Sequence, residues 1–98
     1  MITTITLNPA IDKTCTIEEL RSGCVNRLTQ VKNVPGGKGI NVSTVLTNLG
    51  ISNIALGFIA GFTGNEIKRL SQERGILCDF ITLPKGNNRI NVKLKMNL

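Results

Sequence analysis

A proline–glycine–glycine turn in the first half of the chain separates two different hydrophobic patterns. Before the turn, residues 25–34 alternate between apolar and polar side chains, which predicts an extended segment. After it, the apolar residues fall at helical spacing: Ile40, Val42, Val45, Leu46 and Leu49. Gly50 stands where a helix commonly ends. The turn Pro35-Gly36-Gly37 therefore joins a strand to a helix, and this junction restricts the fold more than any other feature.

The remaining segments also change between strand-like and helix-like patterns. Residues 2–7 alternate apolar side chains with threonine, and the breaker pair Asn8-Pro9 ends them. Further strands are predicted at 14–17, 51–59, 78–83 and 89–94, and a second helix at 65–74. Between them, residues 61–64 are predicted to form a loop in which Thr63 caps the second helix.

The order of these segments predicts an α/β fold. Strands that alternate with helices, and that are apolar in the centre of the chain, favour parallel pairing. Residues 51–59 are almost continuously apolar, as expected for a strand buried on both faces. Segments 14–17, 25–34 and 89–94 differ from it, since their polar and apolar residues alternate. We expect these three to form a separate, half-exposed sheet that lies over a site.

The glycine turn also has the chemistry of a ligand site. Gly36 and Gly37 remove Cβ atoms where a ligand would approach the backbone, and the helix start offers unpaired N–H groups and a positive dipole end. Lys38 adds a positive charge, and Asn41 lies in the first helical turn with an amide that can donate and accept. This arrangement predicts a polar or anionic ligand. The alternative is a tight turn in which glycine only permits a positive φ.

Asp12 is a second candidate for the same site. It follows the first predicted strand, and the carboxyl ends of strands are where open α/β sheets bind ligands. A carboxylate at this place can accept hydrogen bonds from the hydroxyl groups of a sugar. The alternative interpretation is an aspartate that only stabilises a turn.

The charge pattern disfavours a nucleic-acid partner. The formal net charge is +6, which is compatible with nucleic acid, an anionic membrane surface or a small anion such as a phosphate. The basic residues are scattered, however, and no run of five like charges occurs. With three Phe, no Trp and no Tyr, aromatic residues are not interleaved with them for base stacking.

The cysteine and hydropathy patterns favour a cytoplasmic protein. The three cysteines form no C-x-x-C pair and the chain has no histidine, so a zinc site would lack its usual ligands. An odd, scattered set of cysteines is typical of reduced thiols in the cytosol. We see no signal-peptide pattern and no run of about 18 apolar residues, and we therefore expect no membrane segment.

Five blocks of sequence, in this order, resemble the phosphofructokinase-B (PfkB) family of sugar kinases. The blocks are residues 6–12, 25–27, 35–42, 57–59 and 89–94. The resemblance extends to about Lys95 and implies a ribokinase-like fold, in which a Rossmann-like α/β core carries a small β-sheet lid. It also implies phosphorylation of a sugar or sugar phosphate with ATP and Mg²⁺, and members that are often homodimeric through the lid.

The resemblance implies substrate-binding roles for six residues: Asp12, Gly36, Gly37, Lys38, Asn41 and Arg89. Asp12 would hold sugar hydroxyls, and the two glycines and Asn41 would line the sugar site. Lys38 and Arg89 are the candidates for the substrate phosphate. Arg89 would reach in from the lid, where a guanidinium suits bidentate phosphate contacts. The alternative interpretation of Arg89 is a solvated charge on a lid strand.

The family's catalytic aspartate, which lies in a Gly-Ala-Gly-Asp-like motif, and its ATP-binding region have no counterpart in this sequence. We therefore assign no catalytic, cofactor-binding or metal-binding residue. We expect residues 1–98 to be the truncated N-terminal part of a kinase domain, inactive alone because phosphoryl transfer needs both reactants positioned. The final Met96-Asn97-Leu98 also departs from the family pattern. Other sugar kinases of the family, or a non-catalytic binding or regulatory module, are the alternatives.

Overall fold

Residues 1–96 form six strands and two helices in the computed structural model, which describes these residues but not Asn97 and Leu98. In chain order the elements are β1 (Ile2–Thr6), β2 (Ala10–Ile17), β3 (Gln30–Gly36), α1 (Lys38–Asn48), β4 (Asn53–Ile59), α2 (Gly61–Glu73), β5 (Cys78–Thr82) and β6 (Arg89–Met96). Neither helix has the length and apolar character needed to cross a membrane. The predicted departure at the end of the chain lies largely outside the described residues.

β1, β4 and β5 form a parallel sheet in that order, which we call the core sheet. This confirms the predicted α/β fold with parallel pairing. Parallel neighbours need crossover connections, which is why α1 and α2 stand between these strands in the chain. Both helices pack on the face of the core sheet from which Thr4, Thr6 and Ala55 project, and these residues are buried. The apolar cluster in this layer consists of Ile11, Ile40, Ala55, Ile67 and Ile76.

α1 approaches β1 closely because glycines stand where the two elements meet. A Cβ atom on Gly39 would overlap the hydroxyl of Thr6 and the backbone carbonyl of Ile5, and a Cβ atom on Gly37 would overlap the methyl group of Thr6. The Thr6 hydroxyl also accepts a buried hydrogen bond from the N–H of Ile40, at 3.0 Å. The glycine turn thus fixes the start of the helix against the end of the strand.

The face of α1 that meets the sheet is more polar than predicted. Ile40 is fully buried, but the next residue on that face is Ser43, whose hydroxyl lies 2.5 Å from the hydroxyl of Thr4 in β1. The predicted apolar face is wrong in this respect, since its other members are exposed or half-buried: Val42, Val45, Leu46 and Leu49. Because β1 presents threonines to the helix, small hydroxyl-bearing side chains pack there and the larger apolar ones point outward.

Only one face of the core sheet is covered within residues 1–96. The prediction that the strand at 51–59 is buried on both faces is therefore wrong for the described part of the chain. Ile54 and Leu56 of β4 are half-buried and Phe58 is 37% exposed. The strand register places Ile5 beside Leu56 and Ile81 beside Phe58, so these apolar side chains share the uncovered face.

β3, β2 and β6 form a second, mixed sheet with β2 in the middle, which we call the lid sheet. A separate sheet was predicted, but its strands have other bounds: β2 begins at Ala10 rather than at 14, and β3 covers Gln30–Gly36 rather than 25–34. The residues before β3 form a turn instead, in which the Asn26 side chain accepts from the N–H of Arg21 (2.9 Å) and donates to its carbonyl (3.0 Å). Pro35 is tolerated because β3 is an edge strand.

α2 begins four residues earlier than predicted. The predicted loop at 61–64 is its first turn, and Thr63 is not the cap, because its hydroxyl bonds back to the carbonyl of Ala60 at 3.4 Å. The helix start is secured by Asn88, whose Oδ1 accepts the N–H of Ala60 at 2.8 Å. A partner 28 residues away along the chain leaves no local signal in the sequence.

The three cysteines are free thiols in different surroundings. Cys15 is buried in β2, Cys24 is exposed in the segment before β3, and Cys78 is half-buried in β5. Burial raises the pKa of the Cys78 thiol, and only part of this effect is offset by Ser71 and Lys68 nearby. A raised pKa lowers the thiolate fraction near neutral pH, and the thiolate is the reactive form.

We expect iodoacetamide near neutral pH to modify Cys24 well before Cys78, because Cys24 is exposed and Cys78 is held as the thiol. Peptide mass spectrometry over a time course measures the three rates separately. Raising the pH should speed modification of Cys78 by increasing its thiolate fraction. Equal rates for Cys24 and Cys78 in the folded chain would contradict this, and denatured chain is the control in which the difference should disappear.

We expect Gly39→Ala to lower the free energy of unfolding by about 1–3 kcal/mol, because the added Cβ overlaps backbone atoms that cannot move aside. Chemical denaturation followed by circular dichroism measures the change. Asn48→Ala, at an exposed position of the same helix, is the matched control and should change stability by less than about 0.5 kcal/mol. A Gly39→Ala chain as stable as the control would show that α1 does not need this close approach.

Candidate functional site

The candidate site lies where the lid sheet joins the core sheet. β1 ends at Thr6 and β2 begins at Ala10, so the lid sheet starts at the carboxyl end of β1, the edge at which open α/β sheets bind ligands. Ala10 is paired with Gly36 on one side and with Arg89 on the other. The chain therefore passes between the two sheets at Gly36, Ala10 and Arg89, which lie side by side on the three lid strands.

Asp12 and Asn91 form the polar centre of this site. They are paired across β2 and β6, and Asn91 Nδ2 donates to Asp12 Oδ1 at 3.0 Å. Asp12 Oδ2 has no hydrogen bond within residues 1–96, and a carboxylate oxygen in this position can accept one from a ligand. Asn91 is not among the predicted site residues. Its only sequence signal is its place in the alternating segment 89–94, because its partner becomes known only with the strand register.

Gly36 makes room for the Asp12 carboxylate. It is buried in the strand beside Asp12, and a Cβ atom at this position would overlap the carboxyl group of Asp12. Its φ is not positive, so the site requires the missing side chain rather than an unusual backbone conformation. The structure thus brings together two of the predicted site residues, Asp12 and Gly36.

Gly37 is explained by the turn itself. Its φ of 126° lies in the region that favours glycine, and it is the residue that precedes α1. A side chain here would also overlap Thr6. The tight-turn interpretation therefore suffices for Gly37, and a ligand contact is not needed to explain its presence.

The first turn of α1 presents Lys38 and Asn41 to solvent. The N–H groups of Ile40 and Asn41 have acceptors within the protein, which leaves those of Lys38 and Gly39 as donors at the helix start. Asn41 lines a shallow hollow of about 290 Å³ with Val42, Val45 and Leu46. Among residues 1–96 no hydrogen bond joins Lys38 or Asn41 to Asp12, so the structure does not bring these two into direct contact with the polar centre.

Arg89 lies on the same face of the lid sheet as Asp12. It is the first residue of β6 and is paired with Ala10, and side chains two residues apart on a strand point to the same face. The distance from Arg89 to Gly36, across two strand spacings, is about 10 Å. Arg89 is exposed, and no carboxylate within the described part of the chain forms an ion pair with it. Its guanidinium is available to an anion bound beside Asp12.

Asn88, which the sequence did not indicate, fixes the position at which β6 begins. It is 8% exposed, and its Nδ2 donates to the carbonyls of Pro9 (3.2 Å) and Phe58 (3.1 Å). Its Oδ1 accepts the N–H of Ala60 at 2.8 Å. These partners lie between β1 and β2 and at the end of β4, so Asn88 fixes the point from which Arg89 extends.

The charge and shape around Asp12 suit a small hydroxylated anion. A hollow of about 300 Å³ opens here, and it is lined by Asp12, Lys13, Thr14, Asn91, Val92 and Lys93. The carboxylate can accept from hydroxyl groups, the amide can donate, and Lys93, on the same face as Asp12, can bind a phosphate. Within residues 1–96 no group of three or more His, Cys, Asp or Glu could hold a metal ion.

Known proteins resemble the chain over nearly all of its length. The model of the pfkB family carbohydrate kinases matches residues 5–97. Proteins named 1-phosphofructokinase from Borreliella burgdorferi and Bacillus subtilis are each 45% identical, over 99% and 97% of this chain. A Bacillus licheniformis protein named D-tagatose-1-phosphate kinase is 41% identical over 94% of the chain. The chain spans only 30–31% of the length of these relatives.

Solved structures show the same relationship. A Staphylococcus aureus protein provisionally described as a phosphofructokinase superposes with a TM-score of 0.88 at 41% identity, over 100% of this chain and 32% of that chain. Phosphofructokinase-2 from Escherichia coli, in complex with fructose-6-phosphate, superposes with a TM-score of 0.80 at 26% identity, over 93% and 30% of the two chains. The predicted ribokinase-like fold is confirmed for its N-terminal portion.

We expect Asp12→Ala and Gly36→Ala each to shift the NMR resonances of the Asn91 side-chain amide, because the first removes its acceptor and the second displaces it. Asp79→Ala, which removes an exposed carboxylate on β5, is the matched control and should leave these resonances in place. An unchanged Asn91 amide in the Gly36→Ala chain would mean that the glycine is not needed to seat the Asp12 carboxylate.

Proposed function

Because the chain belongs to the pfkB family of carbohydrate kinases, we propose that it forms the N-terminal part of a 1-phosphofructokinase. The reaction would transfer a phosphoryl group from ATP to fructose 1-phosphate and give fructose 1,6-bisphosphate. The observation that carries the proposal is the Asp12–Asn91 pair beside Gly36, with Arg89 on the same face two residues before Asn91. This arrangement supplies an acceptor for hydroxyl groups and a cation for a phosphate on one face of the lid sheet.

Each residue of the polar centre has a distinct part in the proposed binding. Asp12 accepts hydrogen bonds from sugar hydroxyls through Oδ2, while Asn91 holds Oδ1 and so orients the carboxylate. Gly36 keeps the space for both the carboxylate and the sugar. Arg89 binds the substrate phosphate with two parallel N–H groups. These contacts bind and orient the acceptor, and orientation is a large part of what a phosphoryl transfer requires.

Gly37, Lys38 and Asn41 belong to the same proposal and would line the site from the start of α1. Gly37 would let the sugar approach the backbone at the helix start. Lys38 would add a second charge for the phosphate, beside the amides of Lys38 and Gly39 that point out of α1. Asn41 lies in the same turn and would reach the sugar once the hollow beside it is part of a closed site.

The names of the relatives favour a phosphate on carbon 1 of the sugar. Two relatives are named 1-phosphofructokinase and a third is named D-tagatose-1-phosphate kinase, and they are 45%, 45% and 41% identical to the chain. Tagatose-6-phosphate kinase and other sugar kinases of the family are the alternatives within the same reaction class. E. coli phosphofructokinase-2 in its complex with fructose-6-phosphate is less similar, at 26% identity.

ATP, Mg²⁺ and the catalytic base would be supplied by the part of the family fold that lies beyond the matched region. The chain corresponds to about 31% of the length of its relatives. The acidic residues that residues 1–96 contain do not gather into a metal-binding group. Residues 1–98 would therefore make up one portion of the kinase domain: they would bind the sugar phosphate and leave the chemistry to the remainder.

The lid sheet would also carry the dimer contact of such a kinase. Four apolar side chains of β6 project from one face and are about half exposed: Ile90, Val92, Leu94 and Met96. The register places Ile90 beside Ile11 and Leu94 beside Cys15 on that face, which is the one opposite Asp12. A second copy would cover these side chains and leave the sugar site open.

Free thiols and a sugar-phosphate substrate fit a cytoplasmic enzyme.

We expect the chain to bind fructose 1-phosphate in isothermal titration calorimetry, and Arg89→Met to weaken this binding about 10- to 100-fold, the loss typical for a charged hydrogen-bonded partner. Binding of unphosphorylated fructose should not change, because Arg89 contacts only the phosphate. Arg74→Met, at the exposed end of α2, is the matched control. Equal affinities of the native chain and Arg89→Met for fructose 1-phosphate would overturn the assigned role.

A coupled assay with fructose 1-phosphate and ATP tests whether the isolated chain has catalytic activity. Binding without turnover is expected, and this outcome would also suit the alternative of a non-catalytic sugar-phosphate-binding module. Turnover by the isolated chain would contradict the assignment of catalysis to the remainder of the fold.

A further inference from the structure

The two helices end side by side at the amino edge of the core sheet, just before β4 and β5 begin. Each is closed by a glycine at positive φ, Gly50 after α1 and Gly75 after α2, whose N–H bonds back to a carbonyl of the last turn. A Cβ atom on Gly75 would stand 3.9 Å from Cγ2 of Thr47 in α1, so the two helix ends are neighbours. Two partial negative charges therefore meet at one place.

The negative charge of these helix ends is not offset by the helices themselves. Neither α1 nor α2 has a basic side chain in its last turn, where lysine or arginine commonly interacts with the helix dipole. A hollow of about 280 Å³ opens between the two ends, and none of the residues that line it is charged. The place is therefore favourable for a cation that the chain does not supply there.

Asn53, the first residue of β4, adds an unpaired oxygen to this hollow. Its side chain is 6% exposed, and Nδ2 donates to Thr47 Oγ1 at 3.1 Å and to the carbonyl of Ile51 at 3.0 Å. Thr47, Ile51 and Asn53 all line the hollow, so the amide is part of its wall. Oδ1 accepts no hydrogen bond, and it is the only buried side-chain oxygen or nitrogen of residues 1–96 without a partner.

A different orientation of the amide would not satisfy Asn53. Turning it over would place Oδ1 against the carbonyl of Ile51, which can only accept a hydrogen bond. The observed orientation is therefore the better one, and it still leaves Oδ1 unpaired. Because burying an unpaired oxygen destabilises a fold, a group that brings a positive charge or a proton to Oδ1 is expected here.

We propose that this hollow binds a monovalent metal cation, potassium or sodium, with Asn53 Oδ1 as its direct protein ligand. The two helix ends supply the favourable field, and water completes the coordination, because Gly50, Ser52 and Gly75 are exposed. A divalent ion fits less well, since Ca²⁺ and Mg²⁺ normally take carboxylate ligands and no carboxylate lines the hollow. The bound ion would join α1, β4 and α2.

This cation site is separate from the proposed sugar-phosphate site. It lies at the amino edge of the core sheet, whereas Asp12 follows the carboxyl end of β1. The inference therefore does not rest on the proposed function. The net charge of +6 opposes cation binding at long range, and dissolved salt screens this repulsion, so the test compares ions at equal ionic strength.

A water molecule is the other occupant that would satisfy Asn53 Oδ1, since it can donate one hydrogen bond to it. Water would leave the negative charge of the two helix ends in place, whereas a cation offsets it. The two occupants also differ in a measurable way, because only the cation makes the site depend on which salt is present.

The first test is an NMR titration of the 98-residue chain with potassium chloride, and with choline chloride as the reference. The choline cation carries its charge behind methyl groups and has no N–H donor. The backbone amides of Gly50 and Gly75 and the side-chain amide of Asn53 should shift and saturate together in potassium but not in choline. Gly86, which also has a positive φ and open space around it, is the matched control and should not shift.

The second test replaces the proposed ligand. Asn53→Leu removes Oδ1 at nearly constant volume and should abolish the saturable shifts of Gly50 and Gly75. Potassium chloride should raise the thermal midpoint of the native chain by at least about 3 °C over choline chloride, and this difference should vanish in Asn53→Leu. Asn33→Leu, at an exposed asparagine of β3, is the matched control and should keep it. If Asn53→Leu does not fold, the titration of the native chain decides alone.

Equal shifts in potassium and choline chloride, or shifts of Gly86 as large as those of Gly50 and Gly75, would show a general salt effect and overturn the proposal. The absence of any shift would identify water as the occupant and would overturn it as well. Tighter binding of Ca²⁺ than of potassium would contradict the monovalent assignment. Since fructose 1-phosphate takes no part in these measurements, a failure here leaves the proposed function unaffected.

Discussion

Thr6 is the point on which the rest of the structure depends. Three glycines close around it: Cβ atoms on Gly37 and Gly39 would overlap its side chain, and a Cβ atom on Gly57 would overlap its carbonyl. Its hydroxyl accepts the N–H of Ile40 at the start of α1. One residue at the end of β1 therefore sets the distance to the neighbouring strand and the distance to the first helix.

This crowding changes how the glycine turn is understood. A ligand-binding interpretation treats its glycines as equivalent, but the structure assigns them different tasks. Gly36 faces the Asp12 carboxylate, whereas Gly37 and Gly39 face Thr6 and are needed for packing. In the proposed site, binding and folding would share one short segment, with the division falling between Gly36 and Gly37. The same segment would be required by the fold if it bound nothing.

The sequence predicted the features that depend on local periodicity, and it missed those that depend on distant partners. The start of α1, the parallel core sheet and the separate lid sheet follow from spacing and glycine positions. The start of α2 was placed too late because the side chain that secures it, Asn88, is remote in the chain and bonds the N–H of Ala60. Asn91 was missed because only the strand register places it beside Asp12.

The predicted burial of α1 was wrong for a related reason. The hydrophobic pattern shows which side chains are apolar, but not whether residues 1–96 bury them. Val45 and Leu49 are apolar at helical spacing, yet they face away from the core sheet. The pattern therefore identified apolar side chains of α1 correctly but not their burial within residues 1–96.

Gly36, Ala10 and Arg89 lie side by side on the three lid strands, and they define the line about which the lid sheet would rotate. All three crossings to the core lie in this row, so a rotation of the lid turns about it. At about 3.4 Å per residue, Asp12 lies about 7 Å from the axis and Ile17 about 24 Å. A rotation of about ten degrees would move Asp12 by about 1 Å and Ile17 by about 4 Å. In such a rotation the far end of the lid sheet would move about four times as far as the proposed site residue Asp12.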